Sequence, residues 1–178
     1  MTSDSMETGE DGPGLSIDIL VEDERWGEIA DLEALTCSAI EAACAVADLE
    51  ADEAEVCVLF TDNEEVRRLN SEFRGKDKPT NVLSFPATGG PLAEGAPLMF
   101  GDIVLAREVV AAEALEQSKP LANHVTHLIV HGMLHLAGFD HENDAEAETM
   151  EALEVEALAR LGLPNPYAAG PSIAALNP

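Results

Sequence analysis

One short segment of the chain carries three histidines at the spacing H-x3-H-x5-H, which is suited to binding a metal ion. On a helix, His131 and His135 share one face and lie about 6 Å apart along the axis. Gly138 permits a left-handed backbone conformation that ends the helix, so that His141 can return toward the same face. Three converging imidazoles leave the fourth position of a zinc ion open to water, as in a catalytic zinc site.

The same histidine spacing occurs in zinc peptidases with the motif H-E-x-x-H-x-x-G-x-x-H, where the glutamate acts as the general base. In this chain the position of that glutamate is Gly132. The sequence therefore predicts a metal site that lacks the usual base of a peptidase. The nucleophile must then be activated by the metal alone or by a residue from elsewhere in the chain.

A rival pair of ligands is open, because His127 and His131 are also four residues apart. His127 and His135 lie about 12 Å apart along a helix, which is too far for both to hold one ion. The pair His131 and His135 is favoured because a glycine and another histidine follow it. His127 is then either a polar group of the core or a hydrogen-bonding group one turn from the metal, and His124 is a polar core or surface group.

Three further polar residues each have two open interpretations. Asp140 could accept a hydrogen bond from a ligand imidazole or form the turn beside Gly138. Asp102, which follows Gly101 inside an apolar run, could mark a bulge near the cleft or have a purely structural role. Ser84 could bind substrate, although a serine that points inward from a strand is the simpler interpretation.

The charge of the chain is distributed unevenly. The formal net charge is −26 at pH 7, and such a chain as a whole should repel nucleic acid. Only nine lysines and arginines are present, yet five of them fall within twelve consecutive residues. These five are Arg67, Arg68, Arg74, Lys76 and Lys78. The cluster indicates either an anion site or a solvated helix end and loop. Arg74 is the candidate for stabilising a phosphate, because it ends a predicted helix and leads into a loop.

The elements that must position these residues follow from the hydrophobic periodicity. Alternating or apolar runs predict strands over 15–21, 56–60, 80–85 and 99–105, with helices between and after them. Helical spacing predicts a helix over about 28–49, a second one capped by Thr61 or Asp62, and a third over about 107–117. Pro120 opens the histidine helix, and Asn143 caps the last helix, which Gly162 ends. The pattern predicts one α+β domain of about four strands and five helices.

The remaining composition limits where the protein acts. No apolar run approaches the ~20 residues needed to span a bilayer, and the N-terminus has no basic region of a signal peptide. Residues 1–14 are predicted to be a disordered acidic segment, residues 15–167 the domain, and residues 168–178 a loose tail. The cysteines are Cys37, Cys44 and Cys57, which we interpret as small buried thiols in a reducing cytoplasm.

Three motifs in this chain resemble those of the YbeY family of endoribonucleases, the rRNA maturation factors. They are Arg74-Gly-Lys-Asp-Lys-Pro-Thr-Asn-Val-Leu-Ser-Phe-Pro86, Phe100-Gly-Asp-Ile-Val104 and the histidine segment. The resemblance extends from about residue 15 to 167. It implies a small mixed sheet packed with helices, similar to the zincin core. It also implies that His131, His135 and His141 bind zinc and that Arg74 faces the metal across the cleft.

The resemblance implies a single-strand-specific endoribonuclease that matures the 3′ end of 16S rRNA and acts in ribosome quality control. Its partners would be single-stranded RNA and the small ribosomal subunit, with Arg68, Lys76 and Lys78 as candidate RNA-binding residues. Two alternatives stay open. One is a zinc peptidase without the usual base. The other is a ribosome-assembly binding protein with a structural zinc, which needs His127 or a carboxylate as a fourth ligand.

Overall fold

The computed structural model describes residues 15–49, 54–87 and 98–168. The predicted acidic segment 1–14 lies outside the described residues, as does the predicted tail beyond residue 168. Among the described residues, no helix has both the length and the apolar composition needed to cross a bilayer. Cys44 is buried and the other two cysteines are half-buried, all three as free thiols.

Four strands form one mixed sheet in the order β1-β2-β4-β3. They are β1 (Leu15–Val21), β2 (Ala54–Thr61), β3 (Val82–Pro86) and β4 (Leu98–Ala106). β1, β2 and β4 are parallel, whereas β3 pairs antiparallel with β4 and forms an edge of the sheet. The register between β2 and β4 shifts after Met99, so Phe100 is an extra residue beside Gly101. The bulge considered for the Gly101-Asp102 position is therefore present.

Five α-helices accompany the sheet in the described residues. They are α1 (Leu32–Val46), α2 (Asn63–Arg74), α3 (Arg107–Glu116), α4 (Leu121–Leu136) and α5 (Asp144–Arg160). The prediction of a helix over about 28–49 was wrong at its start, because Glu24–Glu28 forms a separate 3-10 helix and Asp31 has a φ of 57°. The predicted class, a single small α+β domain with a four-stranded mixed sheet and five helices, is confirmed.

The helices begin where the predicted caps lie. The Asp62 carboxylate accepts a hydrogen bond of 2.9 Å from the backbone N–H of Glu65 at the start of α2. Asn143 likewise accepts one of 2.9 Å from the backbone N–H of Glu146 at the start of α5. Each cap satisfies an N–H group that has no partner within its own helix.

The two faces of the sheet carry different layers. Val58, Phe60 and Ile103 belong to the main core, which also contains buried side chains of α1, α4 and α5. Leu83 and Val104 face the other way and pack with Val66 of α2 in a smaller cluster. Because α4 lies in the interior of the main core, most of its side chains are buried, and the histidines on it are held in a rigid setting.

Candidate metal centre

The histidine helix brings the first two predicted ligands together. His131 and His135 lie one turn apart on α4, and their Nε2 atoms are 3.1 Å apart. His131 is fully buried, whereas His135 and His141 are half-buried. One ligand nitrogen from each of His131, His135 and His141 lies within 4.8 Å of the other two. The structure therefore contains a possible metal-binding triad of the three histidines predicted from their spacing.

The turn after α4 carries the third histidine back to the first two. Gly138 has a φ of 105°, which is a strained conformation for a residue with a side chain. The Asp140 carboxylate accepts a hydrogen bond of 2.8 Å from the backbone N–H of His141. Asp140 was predicted either to accept a hydrogen bond from a ligand imidazole or to form the turn beside Gly138. The structure shows the second role.

The outer ring nitrogens of both helical histidines are occupied. His135 Nδ1–H donates to the carbonyl oxygen of Phe139 at 3.0 Å, and His131 Nδ1–H donates to the Glu154 carboxylate at 2.7 Å. Since a carbonyl oxygen only accepts, the proton of His135 lies on Nδ1, and its Nε2 carries the free lone pair. The same tautomer follows for His131 beside an ionised carboxylate. Both Nε2 lone pairs are thereby oriented for a metal ion.

Glu154 is a functional residue that the sequence reasoning missed. It is fully buried on α5, and its carboxylate accepts hydrogen bonds from His131, from His127 Nε2 at 2.6 Å and from the Tyr167 hydroxyl. Burial opposes its charge, but the hydrogen bonds from His127 and His131 outweigh burial and lower the pKa of Glu154 to about 2. The sequence contains a pattern that could have identified it: Glu154 lies four residues after Met150, so helical spacing places this acid on the buried stripe of α5.

The two remaining histidines have separate partners. His127 takes the hydrogen-bonding role that was one of its two interpretations, one turn before His131. His124 Nε2 lies 2.9 Å from the Glu113 carboxylate, and the residue is buried outside the triad. Neither histidine joins the cluster of three.

The triad fits a zinc ion. Zinc–nitrogen bonds of about 2.0–2.1 Å at tetrahedral angles place ligand nitrogens about 3.4 Å apart, close to the separation of the His131 and His135 Nε2 atoms. His141 Nε2 is buried, and no hydrogen-bond partner for it lies among the described residues. Burial, together with the neighbouring His131 and His141, lowers the pKa of His135 to about 4, so that its imidazole is neutral at pH 7. Neutral imidazoles are the form that binds metal.

Gly132 lies where the histidine helix packs against the sheet. A Cβ atom at this position would lie 3.0 Å from Ile103 Cγ2 and 3.2 Å from Ser84 Oγ. The Ser84 hydroxyl donates to the Gly132 carbonyl oxygen at 3.1 Å, which is the inward role considered for this serine. A side chain at this position, such as the glutamate of a peptidase motif, would require Ile103 and Ser84 to shift.

Arg74 ends α2 and lies against the edge strand on which Ser84 is located. Its Nη2 donates to the Ser84 carbonyl oxygen at 2.6 Å, and its Cζ lies 5.4 Å from the ring centroid of Phe85. The backbone of Ser84 thus holds Arg74, while its side chain contacts Gly132 beside His131. One residue of β3 connects the arginine to the histidine helix.

Comparison with known proteins identifies the family to which this site belongs. The sequence model of the family described as Endoribonuclease YbeY matches residues 19–162. The chain belongs to this family. The resemblance inferred from the three motifs is therefore confirmed, and the YbeY match includes Arg74 and all three histidines of the triad.

Relatives in the YbeY family match most of the chain. It is 50% identical over 153 residues to Endoribonuclease YbeY of Rhodopseudomonas palustris strain BisB18, which covers 85% of the chain and 91% of that protein. It is 52% identical over 157 residues to Endoribonuclease YbeY of Bradyrhizobium diazoefficiens, which covers 86% of each. The solution structure of TM1509 from Thermotoga maritima superposes with a TM-score of 0.53 at 27% identity, covering 82% of this chain and 91% of that one.

The basic segment, residues 67–78, is partly neutralised by neighbouring acids. Arg67 Nε lies 2.7 Å from the Asp77 carboxylate. Arg68 contacts the carboxylates of Glu65 at 2.7 Å and Glu72 at 2.9 Å. Within the part of the chain that the structure describes, no ion pair involves the other two predicted RNA-binding residues of this YbeY-family protein, Lys76 and Lys78.

Proposed function

We propose that this protein is a zinc-dependent endoribonuclease that cleaves single-stranded RNA. The observation that carries the proposal is the pairing of a three-histidine centre, whose ligand nitrogens lie within 4.8 Å of one another, with an arginine at the end of α2 that bonds the edge strand β3. The names of its YbeY relatives support the same activity. One zinc ion would be held by His131, His135 and His141.

The chemistry divides between the bound ion and the protein. When bound, zinc would polarise a phosphoryl oxygen and lower the pKa of a bound water to about 7. The histidines would orient the ion, since the Glu154 carboxylate and the Phe139 carbonyl fix the rings of His131 and His135. Arg74 would donate hydrogen bonds to the phosphate, where negative charge develops as the phosphodiester is cleaved.

The structure argues against a peptidase. Substrate peptides commonly bind by adding a strand to an exposed sheet edge, where they pair with free carbonyl and N–H groups. On the edge strand β3, Arg74 already bonds the carbonyl of Ser84, and the strand ends at Pro86, which has no N–H. Gly132 also occupies the position of the general base in the peptidase motif, and a glycine has no side chain to take that role.

The structure also argues against a purely structural zinc. Such a site is usually closed by four protein ligands, and His127 or a carboxylate was the candidate for the fourth. His127 Nε2 and the Glu154 carboxylate are bonded to each other, and Glu154 also bonds the outer nitrogen of His131. Among the described residues, the cluster therefore offers three ligands, and a zinc ion bound there would have its fourth position open to water or substrate.

Metal content and RNA cleavage by single variants test the proposal. We expect His131→Ala to lose zinc and cleavage together. Arg74→Ala should keep zinc but cleave about 10²–10³-fold more slowly, because a donor to the developing charge is lost. His124→Gln is the matched control, since His124 bonds Glu113 outside the triad. Single-stranded RNA should be cut and duplex RNA spared; cleavage that persists in metal-free His131→Ala would contradict the proposal.

The cellular role is proposed to be 3′-end maturation of 16S rRNA and ribosome quality control, on the small ribosomal subunit in the cytoplasm. Depletion of the protein should then lead to accumulation of 16S rRNA with an unprocessed 3′ end. Expression of the wild-type chain should restore the mature end, and Arg74→Ala should not. Equal restoration by both would separate the cellular role from cleavage.

A further inference from the structure

A groove opens on the face of the sheet that α2 covers. Its volume is about 510 Å³, and most of its lining is apolar. Phe73 of α2 and Leu20 of β1 line it with 62% and 54% of their surfaces exposed. Large apolar side chains exposed together on a monomer commonly mark a binding surface.

The groove contains an ordered aromatic pair. The rings of Phe73 and Phe85 pack edge to face, with centroids 5.6 Å apart and an interplanar angle of 64°. Phe85 is half-buried on β3 and holds the more exposed ring of Phe73 in place. A fixed and exposed aromatic ring is a platform on which any nucleobase can stack.

The lining of the groove adjoins Arg74 of the proposed active site. Phe73 directly precedes Arg74, and Phe85 directly follows Ser84, whose carbonyl Arg74 bonds. The Arg74 guanidinium lies 5.4 Å from the Phe85 ring. A nucleotide whose phosphate contacts Arg74 thus has the aromatic pair within the reach of its own base or that of its neighbour.

The charges of the groove fit a base better than a phosphate. Asp102 of β4 lines the groove with an exposed carboxylate, and Glu65 lines it while paired with Arg68. Negative charge repels a phosphate, but a carboxylate accepts hydrogen bonds from exocyclic amino groups, as Asp and Glu do from the amino group of cytosine. The cationic contact for a phosphate is Arg74, whose guanidinium lies beside the Phe85 ring of the groove lining.

We infer that this groove binds an unstacked nucleobase of the RNA whose phosphate lies at Arg74, with Asp102 favouring bases that carry an exocyclic amino group. The inference rests on the proposed function, because it needs RNA at Arg74. It also gives a physical reason for single-strand specificity, since the bases of a duplex are stacked and paired and cannot enter the groove.

Binding and cleavage of short oligocytidylate and oligouridylate by the full chain test the inference. Phe73→Ala should weaken binding of both about 5- to 100-fold, as expected when a base loses its stacking partner. Phe73→Trp should restore binding, because it retains an aromatic face. Asp102→Asn should reduce the preference for oligocytidylate over oligouridylate. Leu115→Ala is the matched control, since Leu115 is 83% exposed on α3 and does not line the groove.

A second readout needs no variant. An oligomer that contains 2-aminopurine, a fluorescent base with an exocyclic amino group, should lose fluorescence when its base stacks in the groove of the wild-type protein. Unchanged fluorescence of a bound oligomer would overturn the inference. The inference would also be overturned if Phe73→Ala bound RNA with the same affinity as Leu115→Ala. It would be overturned as well if the only defect of Phe73→Ala were a loss of self-association. If the wild-type protein neither binds nor cleaves RNA, the proposed function itself fails.

Discussion

The histidine centre and the basic segment 67–78 differ in how firmly the fold holds their side chains. His131 is fully buried, and its outer nitrogen is bonded to a carboxylate that is also fully buried. In contrast, the side chains of Arg67 and Arg68 are 57% and 58% exposed, and their partners are surface acids. Buried charged networks are strong and costly to disturb, whereas exposed ion pairs contribute only about 0–1 kcal/mol.

The two halves of the proposed site are therefore suited to different tasks. The buried network can orient metal ligands before any ion or substrate arrives. The exposed segment can exchange its acidic partners for phosphate groups at little cost, because both pairings lie in water. Variants in the first region should therefore have large effects, and variants in the second should have small, salt-dependent ones.

The largest effect within this comparison is expected for Glu154. Glu154→Gln keeps the shape of the side chain but replaces one accepting oxygen with an NH2 group, which only donates, so at least one of the three donors loses its acceptor. We expect zinc affinity to fall about 10–100-fold, as is typical when a partner of a ligand histidine is lost. Titration of zinc against a competing chelator measures this change in zinc affinity.

A control for this variant lies on the same helix. Glu156 is exposed and pairs only loosely with Arg160, at 3.6 Å. Glu156→Gln should leave zinc affinity unchanged. Equal affinities of Glu154→Gln and Glu156→Gln would show that the buried carboxylate does not orient His131 for the metal.

An effect of similar size, but on stability alone, is expected at Gly132. The added methyl group of Gly132→Ala would press on Ile103 and Ser84 in a closely packed region. Overpacking of this kind typically costs about 1–3 kcal/mol, so the free energy of unfolding in urea should fall by that amount. Gly27→Ala is the control, because nothing lies within 4 Å of a Cβ atom there. If both variants unfold alike, packing is not the reason for glycine at position 132.

The triad could be predicted from the sequence because its geometry is local. The four-residue spacing of His131 and His135 follows from helical periodicity, and Gly138 has the positive φ that the turn requires. The caps Asp62 and Asn143 are local for the same reason. Each of these features depends only on residues a few positions away.

The features that could not be predicted from the sequence depend on contacts between distant segments of the chain. Glu154 contacts His131 across 23 residues, and its place on the buried stripe of α5 does not reveal which histidine its carboxylate meets. The position of β4 between β2 and β3 depends on how the strands cross over. The ion pair of Arg67 with Asp77 could not be predicted either, because the order of residues in a basic segment does not show which way its acidic side chains point.

The smallest effects are expected within the basic segment, where its members should differ from one another. Lys76→Ala and Lys78→Ala should each weaken RNA binding and reduce the slope of log affinity against log salt concentration by up to about one. Arg68→Ala should change the slope less, because Glu65 and Glu72 already neutralise this side chain in the free protein. Binding measured over a range of salt concentrations compares the three. If Arg68→Ala flattens the slope as much as the lysine variants do, its ion pairs break when RNA binds, and the acids around it do not limit the charge that the segment offers to phosphate.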